Sequence, residues 1–185
     1  MRDESHVLSG RKLDLPPRLF LGASINPFAP PYANRVDQFA KKVSAGAQFV
    51  QSQYCFDIAM AREFMARSRD MGLTDQCYVL MGVGVLASAK TAKWLKSAIP
   101  GVHIPDEIIR RLEQAEKPKA EGRRIAIELM QQLAEIDGIS GIHLMAYKQE
   151  EWIGEIVTTS GVLGSRKPWA PTHLNYSNQP TKNQG

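Results

Sequence analysis

The chain has 185 residues, enough for one domain with a real core, and its composition of 43% apolar and 23% charged residues is that of an ordinary globular protein. A formal charge of +4 and a pI near 9.1 are mild, and the basic residues spread over several predicted helices without aromatic interleaving, which argues against a nucleic-acid surface. The two cysteines, Cys55 and Cys77, have neither CxxC spacing nor a histidine at metal-ligand spacing. No disulfide framework and no metal are expected, and a reduced cytoplasmic setting fits best. The opening MRDESHVLSGRKL lacks an apolar signal core, and no apolar run approaches the roughly 18 residues of a membrane span. The protein is expected to be soluble and unexported.

A polar leader over 1–16 ends at Pro16-Pro17. The first strand is predicted over 18–25 (RLFLGASI). A loop, NPFAPPY, follows, and then a helix over 34–45, whose Val36, Phe39, Ala40 and Val43 are spaced for one buried face. Ala45-Gly46-Ala47 turns the chain into a second strand over 49–55. A second helix over 58–71 is stopped by Gly72, with Ile58, Ala61, Phe64, Met65 and Ser68 inward. The third strand is predicted over 77–82, ending in a Gly82-Val83-Gly84 loop, and a third helix over 88–98 is ended by Pro100-Gly101. A short helix opens at Pro105 and runs to 116. A longer one over 120–136 places Ala126, Leu129, Met130 and Leu133 at i, i+3, i+4 and i+7. The fourth strand spans 139–147, a last helix 150–159, and the Pro-, Asn-, Gln- and Ser-rich segment 164–185 reads as a flexible tail.

Strand and helix alternate throughout, which predicts a parallel sheet of the α/β class. A (βα)8 TIM barrel needs eight strands and about 250 residues, so four strands over 17–163 make an incomplete barrel of four βα units. No internal repeat is visible. Gly82-Val83-Gly84 alone is a weak phosphate-loop signal that more readily marks a tight turn. In the second strand Phe49, Gln51 and Gln53 share one face by the two-residue period. An inward amide must find partners or lose on the order of 1–3 kcal/mol. Near a strand's C-terminal end that partner is a bound ligand in one reading and neighbouring backbone in the other, and the residues alone do not decide between them.

Five blocks occur in a recognisable order: LFLGASINPF, KKVSAGAQFVQSQYCFD, VLMGVGVLASAKTAKWL, GVHIPDEIIRRLEQA and GISGIHLMAY. Together, over 17–161, they resemble the C-terminal half of the methylenetetrahydrofolate reductase family, flavin enzymes built on a (βα)8 barrel. The Asn-Pro of the first block and the His-Leu-Met of the last look more like the reductases of anaerobes than the enteric form. The resemblance implies that the four strands are barrel strands five to eight. It implies FAD as cofactor and reduction of 5,10-methylenetetrahydrofolate to 5-methyltetrahydrofolate, with NAD(P)H or ferredoxin as reductant. It places Gln53 on the glutamine that contacts the folate pterin or the nicotinamide, since one amide offers both donor and acceptor to a heterocycle edge. Asn26 falls beside the flavin, and Gln38, Lys41 and Lys42 fall on positions that reach FAD, the lysine pair near its pyrophosphate. A lysine pair at a helix C-terminus has an ordinary reading as well, as solvated charge favourable to the helix dipole.

Several positions depart from the pattern. Thr91 and Gln149 stand where a glutamine and an arginine contact substrate in the enteric form. His143 reads more readily as a satisfied core residue than as a catalyst. The family's general-acid glutamate and flavin-tuning aspartate lie on barrel strands one and four, outside the matching half, so no catalytic residue is assigned here. Three readings follow: a truncated or split reductase, a non-catalytic folate or flavin half-site module or assembly subunit, and an enzyme of another class such as a pterin-dependent methyltransferase. A four-stranded sheet cut from a barrel exposes two edges and an apolar inner face. The isolated chain is therefore expected to pair with a missing barrel half, to form a homo-oligomer, or to be poorly soluble.

Overall fold

A computed structural model describes residues 4–15 and 17–165. Most of the expected tail, from 166 onward, lies outside the described residues. Four strands form one parallel sheet in sequential order: β1 (Gly22–Ile25), β2 (Phe49–Tyr54), β3 (Tyr78–Gly84) and β4 (Ile139–Met145). The helices are α1 (Arg35–Ser44), α2 (Ile58–Asp70), α3 (Ala89–Ala98), α4 (Asp106–Gln114), α5 (Pro118–Ala134) and α6 (Ile153–Ser160). Short 3-10 turns at Tyr32–Asn34 and Glu150–Trp152 lead into α1 and α6. The leader contributes one antiparallel bridge, His6 to Lys12.

The strands form where β-branched and aromatic residues cluster, and one face of the sheet carries the core. Val50, Val79, Met81 and Val83 are fully buried, together with Phe39, Phe64 and Met65 from α1 and α2 and Leu129, Met130 and Leu133 from α5. α5 packs on β3 and β4 and against α2, α4 and α6. Asp57 caps α2 by accepting a hydrogen bond from the Met60 amide at 3.0 Å, and Ser88 caps α3 by accepting from the Thr91 amide at 3.2 Å. The opposite face is open: Phe20 stacks on Phe49 with centroids 5.3 Å apart, and Phe20 and Tyr78 remain 58% and 60% exposed.

Three elements differ from the sequence reading. The first strand is shorter than 18–25, because the ladder gives way at Leu21 to the Gln48 side chain, whose Oε1 accepts the Leu21 amide at 3.1 Å. Gly82-Val83-Gly84 is not a turn but the last three residues of β3. An added Cβ at Gly82 would lie 2.6 Å from the Ser52 carbonyl oxygen, and one at Gly84 would lie 2.8 Å from the Tyr54 ring. Glycine is therefore required there by close strand approach. The last helix opens with a 3-10 turn, and α6 proper begins only at Ile153.

Candidate functional site

A cleft of about 590 Å³ is lined by residues from the C-terminal half of β1, the β1–α1 loop, one face of α1, the second half of β2, and β4. Its polar lining is Ser24, Asn26, Asn34, Arg35, Gln38, Lys42, Gln51, Ser52, Gln53 and His143, and no acidic residue is among the lining residues. At the N-cap of α1 and along it the contributing positions are spaced one turn apart: Asn34, Gln38 and Lys42 at i, i+4 and i+8, with Arg35 beside them. Four of the five residues singled out from the sequence, Asn26, Gln38, Lys42 and Gln53, thus line one cleft. The fifth, Lys41, is exposed and points away from that helix face, its carbonyl accepting the Ala45 amide.

Asn26 follows directly on the buried end of β1. Its Oδ1 accepts from the Phe28 amide at 3.1 Å, turning the chain, and its Nδ2 donates to the Pro100 carbonyl at 3.4 Å. Gly101, at φ +74°, leaves room for this tie, because a Cβ there would sit 2.3 Å from Asn26 Nδ2. The Asn26 amide therefore spends part of its hydrogen-bonding capacity on shaping the cleft rim.

β2 carries a bulge. Gln51 pairs with Leu80 but Tyr54 with Gly82, so β2 has one residue more than β3 over this stretch. Buried Ser52 repairs the ladder, its Oγ accepting the Gly82 amide at 2.8 Å. Gln53 Oε1 accepts the next amide, Tyr54 N–H, at 3.0 Å. Of the two partners weighed for this amide, neighbouring backbone thus takes the oxygen, and Gln53 is among the residues that line the cleft. Gln51 lines the cleft beside it.

Of the basic residues in the lining, Arg35 and His143 fall outside the five singled out from the sequence. Arg35 donates from Nε to the Ala29 carbonyl at 2.9 Å and lies with its guanidinium carbon 3.6 Å from the Tyr32 ring centroid, while Nη2 is buried without a partner. Burial lowers its pKa, opposed by Tyr32 and Glu63. Helical spacing from Gln38 and Lys42 is the signal that could have pointed to it. His143, registered beside Gly82, also has its Nδ1 covered and unpartnered, so it is not a satisfied core histidine. The two departures take structural roles. The Thr91 hydroxyl pairs with Ser88 in the α3 cap at 3.1 Å, and Gln149 is 2% exposed and donates from Nε2 to the Val85 carbonyl at 3.3 Å. Neither lines the cleft. Both cysteines are free and buried, and burial pushes the Cys55 thiol up to about 12. Among the described residues no helix is long and apolar enough to cross a membrane, and no cluster of three metal-ligating side chains occurs.

The donor set fits a flavin dinucleotide. Amides at Asn26, Gln51 and Gln53 suit a heterocycle edge, and Arg35 and Lys42, with no carboxylate opposing them in the lining, suit a pyrophosphate. Comparison with known proteins bears on the same region. Among solved structures the fold is similar to that of an uncharacterized protein from Clostridium thermocellum described as binding two copies of 5-methyl-5,6,7,8-tetrahydrofolic acid. The TM-score is 0.57 at 17% identity, over 80% of this chain and 54% of that one. This chain thus spans about half the length of that relative. No curated protein matches the chain. The methylenetetrahydrofolate reductase family profile matches residues 23–161, which hold the whole cleft and the four strands except Gly22 at the start of β1, and the chain belongs to that family.

Proposed function

We propose that the chain is the cofactor- and substrate-binding half of a methylenetetrahydrofolate reductase, holding FAD and 5,10-methylenetetrahydrofolate in the cleft between the strand ends and α1. The observation that carries this reading is the convergence of Gln38, Lys42, Asn26 and Gln53 on one acid-free cleft with Arg35 and His143. When bound, FAD supplies the reducing equivalents that turn the methylene bridge into a methyl group. Arg35 and Lys42 hold the dinucleotide's negative charge, Arg35 doing so with a guanidinium already oriented by Ala29 and Tyr32. The Gln53 Nε2 donor reads an acceptor on a heterocycle edge, its orientation fixed by the bond from the Tyr54 amide to Oε1. His143 is the one titratable residue of the lining besides the two cations, and its Nδ1 is covered and without a partner.

The acid that assists opening of the folate's imidazolidine ring comes from the other half of the barrel, and a general acid of this kind contributes typically 10²–10⁴-fold. NAD(P)H or ferredoxin is the electron source, and soluble one-carbon metabolism feeding methionine synthesis in the cytoplasm is the setting. The second reading, a non-catalytic folate or flavin module, is favoured by the lack of a carboxylate in the cleft lining. Titration of the purified chain with FAD, followed by flavin absorbance and fluorescence, tests the proposal. A saturable, perturbed flavin spectrum is expected. A chain that leaves the flavin spectrum unchanged at high FAD while still binding 5-methyltetrahydrofolate would favour the module.

A further inference from the structure

We infer that the tip of the α3–α4 hairpin is a positioning element for the cleft, in which Gly101 acts through Asn26 and Ala29 on the groups that hold the ligand. Between β3 and α5 the chain makes an excursion, with α3 packed on α4 and α4 on α5. Lys93 pairs with Glu113 at 2.6 Å and Lys96 with Asp106 at 2.7 Å, so the two helices are joined along their length. At the tip, Val102 and Ile104 are buried and anchor the turn, while the residues around them reach two neighbouring loops. Pro100 offers its carbonyl to Asn26, directly after β1, and His103 Nδ1 lies 3.2 Å from Oδ2 of Asp57, which follows β2 and caps α2. The tip is thus held at the carboxyl ends of β1 and β2, the end of a parallel sheet at which ligands bind.

Gly101 meets two demands at once. Its φ of +74° is left-handed, and a Cβ there would lie 2.7 Å from Ala29 Cβ and 2.9 Å from Asn26 Cγ. Asn26 and Ala29 both line the cleft. Asn26 Oδ1 accepts from the Phe28 amide, and the Ala29 carbonyl accepts from Arg35 Nε. The short stretch that the tip presses on therefore carries both the Asn26 amide and the acceptor that orients the Arg35 guanidinium. Gly72 separates the two demands: its φ is +65°, but nothing lies within 4 Å of its would-be Cβ.

Gly101 touches no ligand and acts only by where it lets Asn26 and Ala29 stand. The consequence for binding rests on the flavin reading of the cleft, whereas the contact between tip and rim does not. The two are therefore tested by separate measurements, one of them free of ligand.

Amide exchange in the full chain, followed by NMR, reads the contact. Exchange at the Phe28 amide should quicken about tenfold in Gly101→Ala and stay unchanged in Gly72→Ala. Asparagine tolerates a left-handed backbone better than alanine, so Gly72→Asn should melt above Gly72→Ala. Gly101→Asn should be no better than Gly101→Ala, because either brings the Cβ. Where the Gly101 variants do not fold, His103→Ala, which loosens the tip at its other hold, should still quicken Phe28 exchange about threefold. In FAD titrations Gly101→Ala should weaken binding about tenfold and Gly72→Ala less than twofold. Adding Asn26→Ala to Gly101→Ala should cost well short of the product of the two single losses, since both act on one group. Unchanged Phe28 exchange in a folded Gly101 variant or in His103→Ala, rescue by Gly101→Asn, or losses that multiply with Asn26→Ala would overturn the inference, as would full FAD affinity in Gly101→Ala. A wild-type chain that binds no FAD would refute the flavin reading, and the Phe28 measurement would still decide whether the tip sets the rim.

Discussion

Replacing Gly122 by alanine isolates one packing decision on which the end of β3 depends. Gly122 lies in the first half of α5, and a Cβ built there would sit 1.7 Å from the Leu86 carbonyl oxygen and 2.8 Å from its carbon. Both neighbours are backbone, so no rotamer change relieves the overlap; helix or strand must move by more than an ångström. Overpacking costs about 1–3 kcal/mol, and a clash with backbone belongs at the upper end. Alanine returns about 1 kcal/mol of helix propensity. The net loss is therefore about 2 kcal/mol, a fall in Tm of roughly 4–8 °C for a chain of this size. Gly154, in α6 with nothing within 4 Å of its would-be Cβ, is the control: the same substitution there should raise Tm by a few degrees. Thermal unfolding by circular dichroism at one protein concentration reads both. If Gly122→Ala proved as stable as Gly154→Ala, the close approach of α5 to Leu86 would be wrong.

Lys42→Ala should weaken FAD binding about fivefold, the loss of roughly 1 kcal/mol of charge-assisted contact, whereas Lys41→Ala should change it less than twofold; equal losses in a fluorescence titration would place the dinucleotide elsewhere. Arg111 forks onto Glu121 at 2.7 and 2.9 Å and onto Glu128 at 2.6 and 3.0 Å, so Arg111→Ala should cost about 2 kcal/mol in urea unfolding, below the cost for a fully buried pair because the group is a third exposed. These carboxylates raise the pKa of Arg111, so raising the pH from 6 to 9 should leave that contribution unchanged. Cys55 and Cys77 should resist a thiol reagent at pH 8 in the native state and react together on unfolding. Because the folded Cys55 pKa is raised, from an unfolded value near 8.5, to about 12, stability from its neutral form is complete below pH 8.5 and declines as pH rises towards 12. A chain whose denaturation midpoint rises over that interval would contradict the burial of Cys55.

What was legible in the sequence was periodic, and what was not depended on a second element. The core faces of α1, α2 and α5 followed from helical spacing alone, and Val36, Phe39, Phe64, Met65, Leu129, Met130 and Leu133 are all buried. The end of β3 was read as a turn because glycine pairs ordinarily mark turns; only the β2 bulge, which presses Ser52 and Tyr54 against Gly82 and Gly84, explains why a strand needs them. The same bulge settles Gln53, whose oxygen is taken by the Tyr54 amide in a way that a regular two-residue period does not anticipate. Lys41 and Lys42 are adjacent and chemically identical, yet one helical step of about 100° separates a cleft residue from a solvated one. Arg35 was reachable by the same geometry, since positions 35, 38 and 42 share a face that a motif spanning 38, 41 and 42 does not describe. His143 depends on tertiary context altogether: a strand histidine is satisfied or not according to what its neighbours offer, and here Gly82 beside it offers no side chain at all. The site is thus written locally in α1 and non-locally across β2, β3 and β4, and so the helix contributed its residues to a sequence reading while the sheet withheld the orientation of its own.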